Sequence, residues 1–351
     1  MLADLALVGF GNVGRRFVRL LDERRAELQR EFDLTWRVTG IATRRHGSIY
    51  HASGIDAPHA AQLVEAGQQL RTDGEPVAGS DEVIDRLAGS SAPLRVLLET
   101  TTLDIAAGQP ARDHVSRALR LGCHVATANK GPAAFAYKEL SEVARKNSVR
   151  FLFEGAVMDG IPIFNLVRET MPTVRVEGFR GVVNSTTNHI LTALEDGAEY
   201  APALAEMQAQ GIAEADPSLD VDGWDAAAKA AALTNVLLDG HVTPHDVDRT
   251  GIGPATAAWA RDAKARHARV RLVVSARRGD RPVVKPTELP ESDILANLRG
   301  MGNALILDTD TLGRLVVSQL DGGLTQTAYA LLSDLIAIRR STAEPATLRP
   351  R

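Results

Sequence analysis

The sequence predicts an α/β chain in two parts: a parallel, doubly wound sheet first, then an α+β region. Three observations carry this. Short apolar runs alternate with stretches of helical periodicity over the first 150 residues or so. A glycine triad marks the first strand-to-helix junction. After about residue 155 the strands lengthen and the helices bunch between them.

The elements follow in order. Leu5 to Phe10 is an apolar run and reads as a strand. "GFGNVG" comes next, then a helix from Val13 to about Arg30, with Val13, Phe17, Leu20, Leu21 and Leu28 at helical spacing. Strands are expected at Trp36 to Ala42, Leu94 to Thr100, His124 to Ala128 and Val149 to Val157. Helices fall near Asp113 to Leu121 and from Tyr137 to Lys146. In the second part, Val176 to Val183 and Ala268 to Arg278 read as strands, with a helix from Asp225 to Leu238 among those between them. One more strand and a helix lie between Thr309 and Ile338. The expected division is 1–153 for the first domain, 154–308 for the second, a return of 309–340 to the first, and a disordered tail over 341–351.

Composition narrows the function. With 351 residues there is room for two cores. The net charge of −4 offers no large basic surface, so nucleic acid is not an expected partner. No apolar run approaches the ~20 residues of a membrane helix, and the N-terminus has no basic-then-apolar leader pattern. Cys123 is the single cysteine, which suits a reducing cytoplasm.

Gly9, Gly11 and Gly14 form G-x-G-x-x-G between the first strand and helix. Gly9 permits the tight turn, Gly11 lets a pyrophosphate approach the backbone, and Gly14 lets helix and sheet pack. Phe10, Asn12 and Val13 complete the loop, and the helix N-terminus offers free N–H groups to phosphate charge. At the end of the second strand an NAD binder usually carries an acid. Here stand Thr43, Arg44, Arg45 and His46. Guanidiniums favour a 2′-phosphate, so NADP(H) is preferred and NAD(H) is the alternative, unless both arginines lie on a solvated loop.

"EADPSLDVDGWDAAAK", Glu214 to Lys229, crowds five carboxylates before one lysine. Placing Gly223 at position six of a calcium loop puts Lys229 where the closing glutamate belongs, which rules that loop out. Asp216 reads as part of a turn and Asp222 as a helix cap. Asp225 and Lys229 share a helix face; the pair is either an exposed ion pair worth ~0.3–0.5 kcal/mol or part of a pocket.

Together "GFGNVG", "TANKGP" (Thr127 to Pro132), "VVNSTTNHIL" (Val182 to Leu191) and the acidic stretch resemble homoserine dehydrogenase, over roughly residues 5 to 335. The resemblance implies reduction of aspartate 4-semialdehyde to homoserine with NAD(P)H, or the reverse, by a homodimer with a Rossmann-type domain and a substrate domain. It implies Lys229 as general acid/base, Asp225 orienting the substrate hydroxyl or its water, and Glu214 holding the α-ammonium group. Asp220 and Thr186 are implied near the substrate, Lys130 between nicotinamide and substrate, and Thr101 against the cofactor. "FEGAVMDGIP" is similar to the family's monovalent cation loop, for Na+ or K+, with the Glu154 carboxylate and the carbonyls of Val157, Asp159 and Ile161; it is equally a Gly-Pro bend between domains. Near the end, "DGGLTQTA" keeps Gly322, Gly323 and Thr-Ala of a longer family pattern, leaving Gly322 as a cofactor contact.

Two rivals remain at this stage. A phosphorylating semialdehyde dehydrogenase needs a thiolate, and Cys123, at a strand start among apolar residues, reads as a packed small side chain. A nucleotide-binding regulator without catalysis would have no use for Lys130, Glu214, Asp225 and Lys229 together.

Overall fold

The computed structural model describes residues 1–71, 74–209 and 217–342, and the chain divides into two compact units. Unit one comprises Met1–Pro132, Lys138–Gly160 and the chain from Leu324; unit two comprises Ala133–Tyr137 and Ile161–Gly323.

Unit one is built on a seven-stranded sheet in the order β4-β3-β2-β1-β5-β6-β7. These strands are β1 (Leu2–Val8), β2 (Thr35–Ala42), β3 (Ser48–Tyr50), β4 (Glu75–Pro76), β5 (Leu94–Glu99), β6 (His124–Thr127) and β7 (Phe151–Leu152). From β2 through β1, β5 and β6 to β7 every pairing is parallel. β3 and β4 add an antiparallel edge that periodicity does not reveal, since three and two residues are too short to show alternation. The helices are α1 (Asn12–Glu23), α2 (Arg25–Phe32), α3 (Ala57–Glu65), α4 (Ser80–Ala88), α5 (Ala111–Arg120) and α6 (Lys130–Lys146). The core joins Leu5, Leu7, Phe17, Leu21, Leu28, Ile41 and Leu98, each worth ~1.5–3 kcal/mol when buried, to residues of a distant helix, Leu324–Ser341.

The structure departs from four expectations. The helix from Val13 to Arg30 is two helices, because Arg24 leaves helical geometry (φ −103°, ψ 11°), and the turn brings Leu28 back into the core. The helix expected from Tyr137 begins at Lys130, with Pro132 tolerated in its first turn and a break at Ala136. The strand expected from Val149 to Val157 keeps only Phe151–Leu152. The Glu154 N–H leaves the ladder to donate to Asp334 Oδ2 at 2.8 Å, and a 3-10 turn, Glu154–Ala156, follows. Of the span 309–340, only the helix belongs to unit one, since the strand before it pairs in the second sheet.

Unit two carries a short helical turn, α7 (Ile163–Asn165), then β8 (Val176–Val182), α8 (Ser185–Glu195), α9 (Tyr200–Ala209), α10 (Ser218–Val221) and α11 (Trp224–Leu237). β9 (Asp248–Arg249), α12 (Pro254–Ala265), β10 (Ala268–Arg277), β11 (Val283–Pro290), β12 (Asn303–Thr309) and β13 (Arg314–Gln319) follow. Its sheet runs β13-β12-β8-β10-β11-β9 and is antiparallel except for β9 against β11. Val182, Val273, Leu295, Leu298 and Ile306 form a core on this sheet. The chain then returns to unit one through α13 (Leu324–Ser341). Among the described residues no helix is long and apolar enough to cross a membrane.

Candidate active site

In unit one a cavity of about 1060 Å³ opens at the carboxyl ends of β1, β2 and β5, the edge where parallel sheets of this kind bind ligands. Gly9, Phe10, Gly11, Arg44, Arg45 and Thr101 all line it. Gly9 has φ +87°, and a Cβ there would lie 2.5 Å from the Thr100 carbonyl carbon. Gly14 is less tight: a Cβ there would lie 3.1 Å from the Gly9 oxygen and 3.3 Å from Thr100 Oγ1. A Cβ on Gly11, by contrast, would meet nothing within 4 Å. Gly9 thus lets backbone pack on backbone, Gly14 sits close against the Gly9 carbonyl and the Thr100 side chain, and Gly11 leaves open space at the start of α1. Asn12, Val13 and Gly14 form the first turn of α1 and do not line the cavity.

Arg44 and Arg45 are exposed, on a turn fastened from both sides. Thr43 Oγ1 donates to the Gly47 carbonyl at 2.9 Å and accepts from the His46 N–H at 2.7 Å; Gln69 Nε2 donates to the Arg45 carbonyl at 3.1 Å. Arg15, on α1, lines the same cavity and donates to Asn12 Oδ1 at 2.7 Å. Sequence reasoning passed over Arg15, although a cation one residue beyond the last glycine of the loop was a local signal for it.

Lys130 is the first residue of α6 and is not among the residues lining the cavity. Asn129 caps this helix, accepting from the Gly131 N–H at 2.8 Å and donating to the Thr101 carbonyl at 2.9 Å. The ends of β5 and β6 are thus bound together. Cys123 sits before the other end of β6, fully buried, and burial pushes its thiol up to about 11. A thiol so protonated, some four residues or ~13 Å of strand away from the ligand edge, is a packing residue and not a nucleophile.

Of the cation loop, Glu154, Val157 and Asp159 belong to unit one, and Ile161 belongs to unit two. Glu154 and Val157 are buried. Asp159 takes a left-handed φ of +49° and accepts from Thr327 Oγ1 at 3.1 Å. The Ile161 carbonyl already accepts from the Ile163 N–H at 2.9 Å, which leaves it one lone pair. Gly322 lies in unit two, just before α13, and is not in the lining of the unit-one cavity.

In unit two the described part of the acidic stretch, from Pro217 on, forms two helices. Asp222 does not cap the second: it ends α10, and Gly223 at φ +81° starts α11 with no side-chain cap. α11 is alanine-rich and buried almost all round. Only Trp224, Asp225, Lys229 and Val236 are not fully enclosed. The Asp225 and Lys229 side chains are 15% and 13% exposed, with Nζ 3.0 Å from Oδ2. Lys229 also donates to the Val183 carbonyl at 2.5 Å. Neither feature fits a solvated i,i+4 pair.

One residue that sequence reasoning did not single out ties this cluster together. Asn184, at the N-cap of α8, donates its amide to Asp220 Oδ1 at 2.7 Å and to Asp225 Oδ2 at 2.8 Å. Its own Oδ1 accepts from the N–H and the hydroxyl of Thr187, both at 2.8 Å, which fixes which end of the amide faces the acids. Thr186 is buried beside it in the first turn of α8, and Ser185 accepts from Asn303 at 2.8 Å. Unit two thus brings Thr186, Asp220, Asp225 and Lys229 to neighbouring elements. Glu214 and Asp216 lie outside the described residues.

The family model for homoserine dehydrogenase matches residues 162–336, and that for its NAD-binding domain matches residues 9–154. An NAD(+)-dependent homoserine dehydrogenase of Pseudomonas canavaninivorans is 36% identical over 342 residues, 96% of each chain. The chain belongs to the homoserine dehydrogenase family. The homoserine dehydrogenase of Methanocaldococcus jannaschii is 34% identical over 97% of this chain and 99% of its own. Among solved structures, a putative homoserine dehydrogenase from Archaeoglobus fulgidus superposes with a TM-score of 0.84, at 30% identity over 96% of this chain and 99% of its own. A hyperthermophilic archaeal homoserine dehydrogenase in complex with NADPH gives 0.80, at 29% identity over 98% and 99%. This homoserine dehydrogenase is accordingly an NAD(P)-dependent oxidoreductase, and the cavity at β1, β2 and β5 lies in its dinucleotide-binding domain.

Proposed function

We propose that the cluster on α8, α10 and α11 is the substrate half of the active site and that Lys229 is the general acid/base for interconversion of homoserine and aspartate 4-semialdehyde. The supporting observation is the Lys229–Asp225–Asn184–Asp220 chain, with Lys229 largely buried beside its acid partner. The dinucleotide supplies or accepts the hydride when bound. Reduction of the aldehyde builds negative charge on its oxygen, and an ammonium aimed at that atom stabilises the charge and delivers the proton. In the reverse direction the amine takes the hydroxyl proton. Asp225 holds the ammonium and orients the substrate hydroxyl or its water; Asp220, Thr186 and Glu214 bind the amino-acid end, with Glu214 on the α-ammonium. Lys130 serves both nicotinamide and substrate.

NADP(H) is the preferred cofactor on this reading, with NAD(H) accepted less well. Two guanidiniums and no acid follow β2, and the fastened turn keeps both at the cavity. The Pseudomonas relative, NAD(+)-dependent by name, makes this worth testing directly. Glu154 with the carbonyls of Val157, Asp159 and Ile161 is an oxygen set suited to Na+ or K+. The enzyme works as a cytoplasmic homodimer, with cofactor binding on unit one and with substrate binding and dimerisation on unit two. The deciding experiment is a steady-state assay in both directions, with both dinucleotides, on the wild type and on Lys229→Ala. Undiminished turnover by the variant would remove Lys229 from the chemistry.

A further inference from the structure

Glu99 is the last residue of β5, is fully buried, and has no part in the reaction as described above. Burial raises its carboxyl above the ordinary range, while hydrogen bonds from Thr101 and Thr127 pull the other way. A buried carboxyl is costly unless donors surround it, and they do. Oε1 accepts from the Thr101 N–H at 2.9 Å and also from the Thr101 hydroxyl. Oε2 accepts from the Thr127 hydroxyl at 2.6 Å. Glu99 and Thr127 are opposite one another in the β5–β6 pairing.

Those bonds commit both hydroxyl protons and leave both hydroxyl oxygens as acceptors. Asn129 uses them. Its N–H donates to Thr127 Oγ1 at 2.9 Å, and its Nδ2 donates to Thr101 Oγ1 at 3.3 Å and to the Thr101 and Thr102 carbonyls at 2.9 and 3.3 Å. Asn129 Oδ1 is then left for the Gly131 N–H, which sets the first turn of α6 and the Lys130 it carries.

We propose that Glu99 is a positioning residue for the dehydrogenase reaction: through Thr101, Thr127 and Asn129 it locks loop 100–102 and the start of α6 into one piece. A second consequence concerns the ligand. Thr101 lines the dinucleotide cavity with its proton already given to Oε1, so it meets its ligand only as an acceptor. With Glu99 ionised, the group that Thr101 meets there is a donor, such as a primary amide. The proposal rests on the reading of Lys130 and Thr101 as active-site residues.

The test uses the full-length enzyme with Glu99→Gln, Thr127→Val, Thr127→Ser and Lys130→Ala. Measured for each are kcat, KM, NADP(H) affinity by fluorescence, and the unliganded unfolding midpoint. Glu99→Gln puts a donor where Oε2 accepts; Thr127→Val deletes the link at constant shape; Thr127→Ser restores it. The first two are expected to lower kcat/KM by about 10- to 100-fold, the scale of an ångström-level misplacement, and Thr127→Ser to stay within about threefold of wild type. A purely structural role predicts something else: a lower unfolding midpoint with kcat intact in the folded enzyme, which would overturn the proposal. If Lys130→Ala is crippled while Glu99→Gln and Thr127→Val keep kcat/KM within about twofold, the positioning role alone fails. If Lys130→Ala turns over normally, the active-site reading fails and takes this proposal with it. Should Glu99→Gln not fold, the Thr127→Val and Thr127→Ser pair decides by itself.

Discussion

Replacing Gly11 with alanine separates ligand binding from folding more cleanly than any other change in the phosphate loop. A Cβ at residue 11 meets no atom within 4 Å, and φ there is −77°, ordinary for any residue. The folding penalty is then only that of alanine for glycine at an N-cap, about 0.5–1 kcal/mol. The new methyl nevertheless stands where a phosphate would approach the backbone, and a loss of 100-fold in affinity, about 2.7 kcal/mol, is expected. Gly9→Ala makes the contrast. At φ +87° its Cβ would sit 2.5–2.6 Å from three backbone atoms of Thr100 and Thr101. Left-handed strain of about 1–2 kcal/mol and backbone overlap together should cost about 3 kcal/mol or more. The assay is thermal unfolding with and without NADP(H), alongside direct titration. At 100 times its Kd the cofactor stabilises the wild type by about 2.7 kcal/mol; a 100-fold weaker Gly11→Ala enzyme would gain only about 0.4 kcal/mol at the same concentration. Wild-type affinity in Gly11→Ala refutes the phosphate cradle, and a Gly11→Ala protein that unfolds refutes the open space.

Other outcomes follow from the same geometry. Lys229→Ala should cut kcat by at least 100-fold, the scale of general acid catalysis, with NADP(H) affinity within about twofold of wild type by titration. Arg44→Ala with Arg45→Ala should move the NADP/NAD ratio of kcat/KM toward NAD by at least tenfold; an unchanged ratio would make both arginines bystanders. Cys123→Ala should keep kcat within about twofold, because a thiol held near 11 is not a thiolate at neutral pH. His124, its Nδ1 accepting from the Arg150 N–H at 3.0 Å, is lowered to about 4 by burial. The unfolded chain therefore takes up a proton near the usual 6.5 that the folded one refuses. The stability of the neutral ring is fully present above 6.5 and falls by about 3 kcal/mol as pH drops toward 4. Unfolding midpoints between pH 7 and 4 should fall less steeply in His124→Gln.

Much of unit one could be read from the sequence because its strands are buried apolar runs and its glycines stand at a strand-to-helix junction. Leu5–Val8, Trp36–Ala42 and Leu94–Glu99 needed only local pattern. The limits of local pattern appear where a distant residue takes over. Nothing near Glu154 tells that Asp334, 180 positions on, captures its N–H and stops the strand. Asp222 precedes a helix and so resembles a cap, yet the left-handed Gly223 separates it from α11. For the site, Asp225 and Lys229 were legible as an i,i+4 pair, but their burial was not. Asn184 was invisible as a bridge because its partners lie 36 and 41 residues away on other helices.

The placement of α13 bears on how this polypeptide is made. Ala328, Leu331, Leu332, Leu335 and Ile338 complete the same core as Leu5, Leu7 and Phe17. A nascent chain therefore emerges from the ribosome with its nucleotide-binding core unsealed, and must hold it so while all of unit two is synthesised. Unit two, nearly continuous in sequence, has its parts in hand sooner. A stop codon near residue 323 would leave the earliest-made strands exposed to chaperones and proteases, although every glycine of the phosphate loop was in place.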